Sequence, residues 1–168
     1  MDRRHLVSAL LLLLVGGMLA GCAYGLRAGK LRPGLESVAV PYFENRSNEP
    51  EIEVELTEAI ISGLIADRTL RVTEENIADA LVLGVVRSYD FREAFFGADR
   101  QAEEYRIDIE VEVRVVEREG GEVIAGPQRI QGTGSYYLEE GPAGEEDARA
   151  KAAEMIVKGI LNLVVEEW

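Results

Sequence analysis

Histidine and cysteine are almost missing from this chain: 168 residues hold one of each, His5 and Cys22. A single thiol excludes an intramolecular disulfide and any cysteine-rich zinc site. Without histidine after residue 5, Ser-His-Asp and Cys-His catalysis and histidine-ligated metals have no base or ligand in the body of the protein. Positive charge is also scarce, with 18 Lys and Arg against 31 Asp and Glu, a net charge of −13. Nucleic-acid binding is not expected, because neutralising phosphates needs a basic footprint. Broad adsorption to an anionic membrane surface is disfavoured for the same reason. No Gly-rich phosphate-cradling loop appears. Five prolines and 17 glycines are ordinary numbers, so collagen-like and disordered chains are excluded. What remains is long enough for one core that needs no metal or disulfide staple.

The amino end carries Arg3 and Arg4, then an apolar run over residues 6–20 with the leucine block 10–14. That is the charged start and greasy centre of a secretory signal, too short to span a bilayer comfortably. An uncleaved anchor helix is the alternative. The next residues, Leu19-Ala20-Gly21-Cys22, decide against it, since they resemble the bacterial lipobox, where the thiol is acylated and cleavage falls just before it. Residues 1–21 are therefore expected to be a signal peptide, residues 22–35 a lipidated tether and residues 36–168 one domain. The mature chain would have 147 residues, 16 basic and 30 acidic, for a charge of −14. Several acyl chains on Cys22 would anchor it stably where one chain is marginal. By resemblance to enterobacterial sorting, Ala23 after the cysteine is compatible with the outer membrane.

Residues 37–43 read as a strand that Pro41 confines to an edge or end. Residues 44–50 read as a polar turn, after which a helix begins near residues 48–50, capped by Asn or Glu. Ile52, Leu56, Ile60 and Leu64 recur every fourth position with Ile61 and Ile65 beside them, one buried stripe ending near Asp67. A short strand over 70–73 is an option, residues 74–79 are a turn, and residues 80–91 are strongly β-forming. Residues 92–103 read as a loop. From Tyr105 to Val115 apolar and charged residues alternate strictly, one face in the core and one in water. Glu119-Gly120-Gly121-Glu122 signals a tight hairpin, and the strand over 123–137 has a bulge at Gly126-Pro127. A last helix covers about 143–166, with Ala148, Ala152, Met155, Ile156, Gly159, Ile160, Leu163 and Val164 on its apolar stripe. The order β-α-β-β-β-α predicts an α+β two-layer sandwich, a four-stranded mixed sheet with two helices on one face.

No catalytic residue, metal ligand or cofactor box emerges. Carboxylates are many but fall on solvent faces, and Ser88 and Ser135 lack a histidine base. The chain is therefore expected not to be an enzyme. Two segments fit contact surfaces instead. In the first, Phe95 and Phe96 are adjacent and cannot both face inward, and Arg92, Arg100 and Arg106 flank them; the competing reading folds one phenylalanine back over the core edge. In the second, Gly132-Thr133-Gly134-Ser135 permits close backbone approach, and Tyr136 and Tyr137 point to opposite faces; the competing reading is a twisted strand end.

Several stretches together resemble the lipopolysaccharide-assembly lipoprotein family, LptE. They are Gly21-Cys22-Ala23-Tyr24-Gly25-Leu26, the run Val38-Ala39-Val40-Pro41-Tyr42-Phe43-Glu44-Asn45-Arg46-Ser47-Asn48-Glu49-Pro50, Ala78-Asp79-Ala80-Leu81-Val82-Leu83-Gly84, the strand opening Glu104-Tyr105-Arg106-Ile107, and the segment 132–137 before a final helix. The resemblance implies a non-enzymatic lipoprotein on the periplasmic face of the outer membrane. Its domain would plug the LptD β-barrel, assist that barrel's assembly and help deliver lipopolysaccharide. It also implies lipopolysaccharide contact through basic residues at one end of the sheet, for which Arg92, Arg100 and Arg106 are nearest. An acidic domain repels lipid A phosphates at long range, so the barrel partnership is the stronger expectation. The stretch from Val38 to Ser47 is also similar to periplasmic lipoproteins that regulate cell-wall synthases or build curli-type secretion pores.

Overall fold

The structure is a computed structural model and describes residues 35–96 and 102–166. The expected signal peptide, Cys22 and Arg100 lie outside the described residues, as do the side chains of Phe95 and Phe96. In chain order the elements are β1 (Ser37–Ala39), β2 (Glu44–Asn45), α1 (Ile52–Asp67), β3 (Arg71–Val72), β4 (Ala80–Phe96), β5 (Ala102–Glu117), β6 (Val123–Tyr137), a 3-10 turn (Leu138–Glu140) and α2 (Gly141–Glu166).

One mixed sheet runs in the order β3-β1-β4-β5-β6, with β2 also paired to β4. β1 is parallel to β3 and β4, β2 is parallel to β4, and β4, β5 and β6 form an antiparallel meander. The α+β class and the two helices are as expected, but the sheet has six strands, not four. One of the two extra strands is β3, the optional strand over 70–73; the other, β2, has a local cause. The edge segment leaves β4 after Ala39, Pro41 offers no N–H, and Phe43 turns into the core, where its ring lies over Gly84 and its N–H donates to Thr57 Oγ1 at 3.2 Å. Glu44 and Asn45 then rejoin β4 opposite Val85 and Val86, so part of the expected polar turn is strand.

Strict alternation in β5 does what it predicts. Ile107, Ile109, Val111, Val113 and Val115 are fully buried, and both helices pack over that face in one hydrophobic cluster. Each such side chain contributes about 1.5–3 kcal/mol on burial. The α1 stripe of Ile52, Leu56, Ile60 and Leu64 is likewise buried. The cap is not as expected: Glu51 is left-handed at φ 62 and no side chain caps the helix. Asn45 organises this entry from outside, donating to Glu49 O and Glu53 Oε2 at 2.8 Å each and accepting from Ser47. In α2, Ala148, Ala152, Ile156, Ile160, Leu163 and Val164 are buried, whereas Met155 is exposed rather than on the stripe. Gly132 and Gly134 bring the sheet against the α2 backbone: a Cβ on either would collide with the carbonyl of Ala152 or Ala148. Gly126 and Pro127 form the expected bulge, two residues standing opposite Arg114 alone.

Asp79 fixes the place where the chain enters the sheet. Its Oδ2 accepts from the N–H groups of Glu36 and Ser37 at 3.0 and 2.8 Å and from Ser37 Oγ at 2.7 Å. The Ser37 hydroxyl and these backbone donors hold its carboxyl below the usual value.

Candidate interaction site at the far end of the sheet

Residues expected in a loop over 92–103 are mostly strand. β4 continues to Phe96 and β5 begins at Ala102, so a long hairpin carries the candidate residues away from the end where Leu35 enters. The correction has a physical basis. Each residue from Ser88 to Glu93 pairs with one on β5 in unbroken register, from Ser88↔Glu110 to Glu93↔Tyr105, and this pairing holds charged residues extended.

A bulge between Val86 and Ser88 resets which side chains face the helices. Beyond it, Tyr89 and Phe91 stand opposite Ile109 and Ile107 on the helix face. Here an aromatic ladder runs across three strands. The Phe91 ring stacks on Tyr105 at 5.1 Å between centroids and 14° between planes, and Tyr105 stacks on Tyr136 at 5.7 Å. Tyr136 is buried and Phe91 is 49% exposed, so the ladder opens outward at β4. Burial raises the Tyr136 hydroxyl above its ordinary pKa. Below the ladder the Arg149 guanidinium lies 5.6 Å over the Tyr89 ring and bridges Glu49 and Glu55 at 3.0 and 2.8 Å. Burial pushes the Tyr89 hydroxyl up to about 12.

The opposite face is built in charged rows. Asp90 stands opposite Asp108, which stands opposite Thr133; one row on, Arg92 stands opposite Arg106, which stands opposite Ser135. Like charges side by side are unfavourable, and the diagonal ion pair of Arg92 with Asp108 relieves both rows. Thr133 Oγ1 donates to the other Asp108 oxygen at 2.7 Å. Burial pushes the Asp108 carboxyl up, but the Thr133 hydroxyl, the Arg92 guanidinium and the charge of Arg106 outweigh it and leave the carboxyl below its usual value. Farther along, Glu112 bridges Arg87 at 2.7 Å and Arg129 at 3.6 Å.

Of the sequence candidates, Arg92, Arg106, Tyr136 and Tyr137 do come together at this end, divided between two faces. Arg92, Arg106 and the 54%-exposed Tyr137 lie on the open face, and Tyr136 lies under the helix side. Arg92 is tied to Asp108. Sequence reading gave no site role of their own to Phe91, Tyr105, Asp108 and Thr133. The first two are spaced along two strands whose mutual register no sequence motif reveals. Away from this end, a cleft of about 210 Å³ on the open face is lined by Tyr42, Leu83, Val85 and Pro127 among others. An open notch of about 510 Å³ lies beside Arg149, Glu55 and Glu145. Among the described residues, no group of three or more His, Cys, Asp or Glu is placed to hold a metal ion. No helix of the described residues is long and apolar enough to cross a membrane. The chemistry on offer is stacking, charge pairing and strand pairing.

A family model described as LptE: Lipopolysaccharide-assembly matches residues 35–164. No curated protein matches the chain by sequence. Among solved structures, a hypothetical protein from Chlamydia trachomatis is similar at a TM-score of 0.54 and 14% identity, over 77% of this chain and 98% of that one. The PelC dodecamer from Paraburkholderia phytofirmans is similar at a TM-score of 0.50 and 18% identity, over 82% of this chain and 94% of that one. At such identities these two likenesses speak of fold alone.

Proposed function

The chain belongs to the LptE lipopolysaccharide-assembly family, and from that premise we propose that it is the outer-membrane lipoprotein partner of an LptD-type β-barrel, held by acyl chains on Cys22. In this reading it is not an enzyme. Its domain seats inside the barrel lumen, supports the barrel's assembly and so serves lipopolysaccharide delivery to the cell surface. The observation that carries the reading is the family match, which spans 130 residues and covers α1, every strand and all but the last two residues of α2. A polar barrel interior suits the charged open face of the sheet and the acidic domain as a whole.

Direct lipopolysaccharide contact is the weaker part of the reading. Arg92 already neutralises Asp108, and Asp90 lies beside it, so the hairpin end offers an anionic phosphate little unbalanced positive charge. Arg106, like Arg92, is exposed at that end.

Pull-down of the full chain from detergent-solubilised outer membrane tests the proposal. A large β-barrel as the main partner is the expected result. A cell-wall synthase, or a homo-oligomeric ring with no barrel, would overturn it. Lipidation is tested separately by Cys22→Ser, which is expected to leave the domain folded but abolish membrane partitioning; unchanged partitioning would remove the anchor from the reading.

A further inference from the structure

The two long borders of the sheet are treated differently by the fold. β6 is a border along its whole length, and it is interrupted by the Gly126-Pro127 bulge, where proline removes a donor. β4 is covered by β1 and β2 only as far as Val86, whose carbonyl accepts from the Arg46 N–H at 3.0 Å. From residue 87 to 96 no strand of the described residues pairs with its outer border. Within this stretch, Tyr89 to Glu93 is free of register shifts. An open, regular border of that kind is a template for another strand.

Its side chains specify which strand. About a twofold axis through Phe91, an antiparallel copy places Asp90 opposite Arg92 of the other copy, and Arg92 opposite Asp90. Phe91 then meets Phe91, and Tyr89 meets Glu93. Directly opposed residues share a face. The two Asp-Arg pairs therefore fall on the open face, where each charged row runs on into its opposite: Asp108-Asp90 into Arg92-Arg106. On the helix face, the half-exposed Phe91 ends of two aromatic ladders meet and cover each other. Glu93 comes beside Tyr89, over which the Arg149 guanidinium lies. Charged edge residues ordinarily discourage pairing. Here the alternation Asp90, Phe91, Arg92 repels a parallel or shifted copy and favours this one register.

We propose that residues 89–93 of β4 are a self-recognition edge, through which two copies of this chain join antiparallel into one continuous sheet before either meets another partner. Five residue pairs bury much less than a standard stable interface of about 1,600 Å². The contact is therefore weak in dilute solution and gains from confinement of both copies to one membrane, which raises their effective concentration. The confinement rests on the proposed Cys22 anchor; the edge itself stands apart from the barrel reading and survives that reading's failure.

The test is cysteine cross-linking of the full chain in membranes, with the parent chain as control for Cys22. Phe91→Cys is expected to give a disulfide-linked product of twice the mass. Tyr89→Cys mixed with Glu93→Cys should cross-link, and Arg114→Cys, on the same sheet away from this border, should not. Adding Asp90→Arg to Phe91→Cys sets arginine against arginine at two pairs and should cut the dimer about tenfold. Circular dichroism checks that each variant is folded, and sedimentation of the cysteine-free Cys22→Ser chain at rising concentration reads the same equilibrium without a thiol at the interface. Equal cross-linking at residues 91 and 114, indifference to Asp90→Arg, a monomer even at the roughly millimolar concentrations that confinement supplies, or capture of a different protein by Phe91→Cys would each overturn the proposal.

Discussion

The two halves of β4 are one strand in two environments. Residues 80–86 lie between β5 and the short strands β1 and β2, under the helices, and Ala80, Val82 and Val86 are fully buried. Residues 87–96 keep the same extended backbone and the same partner β5, but nothing among the described residues pairs with their other border. Phe91 is 49% exposed, and Asp90, Arg92 and Glu93 are exposed around it. In the first half side-chain burial sets the structure. In the second, cross-strand pairing and a few polar links hold it up. Stability should therefore concentrate in the first half and recognition in the second.

The largest expected effect breaks the covered half. Val111→Asp puts an unpaired charge at a fully buried site and should abolish the cooperative thermal transition, a loss above about 4 kcal/mol; a folded variant with a near-normal melting temperature would contradict the assignment of that face. Next comes Gly134→Val. Its side chain would enter the Ala148 backbone of α2 and should cost about 3 kcal/mol in urea unfolding, because overpacking must lift a helix. A smaller effect is expected beside the exposed half, on the open face. Thr133→Val leaves one Asp108 oxygen without its donor and should cost about 1 kcal/mol, with the Asp108 carboxyl moving upward in a carboxylate titration by NMR.

Acid sharpens the same comparison. Asp79 and Asp108 titrate below their ordinary values in the fold. A depressed folded value means that their stabilising contribution is full above the unfolded value near ~3.9 and is lost as pH falls through the folded one. Asp79→Asn should therefore flatten the stability-pH profile in that window and leave it unchanged near neutrality apart from a constant offset; parallel profiles for the two chains would refute the role of the carboxylate. The smallest stability effect belongs to Phe91→Ser, expected within about 1 kcal/mol because the ring is half in water. A large loss there would mean that the ladder is structural rather than available for contact.

How much of this was legible depended on whether a residue's fate was decided locally. The period-two run of β5 and the i, i+4 stripe of α1 are local patterns, and Ile107 to Val115 and Ile52 to Leu64 at those spacings are buried, whereas Tyr105 and Ile61 are half-buried and Ile65, beside the stripe, is 58% exposed. Asp108 obeys the same alternation and was expected in water, yet it is only 5% exposed, because Arg92 and Thr133 from neighbouring strands close over it. β2 was illegible for a similar reason. Two polar residues carry no periodicity, and only their alignment with Val85 and Val86 makes them a strand. At the candidate site, the opposite facing of Tyr136 and Tyr137 follows from alternation alone. The ladder through Phe91 and Tyr105 needs the bulge after Val86, one inserted residue that reverses which side chains look inward.

The clamp at Asp79 has a mechanical meaning. β1 lies between β3 and β4, parallel to both, and the chain preceding it leaves from the end that Asp79 grips. A pull applied lengthwise through the amino-terminal side loads the bonds on both flanks of β1 and the carboxylate grip in shear, all at once, instead of peeling them one after another. Tension transmitted from a surface to this domain would thus meet bonds that have to fail together.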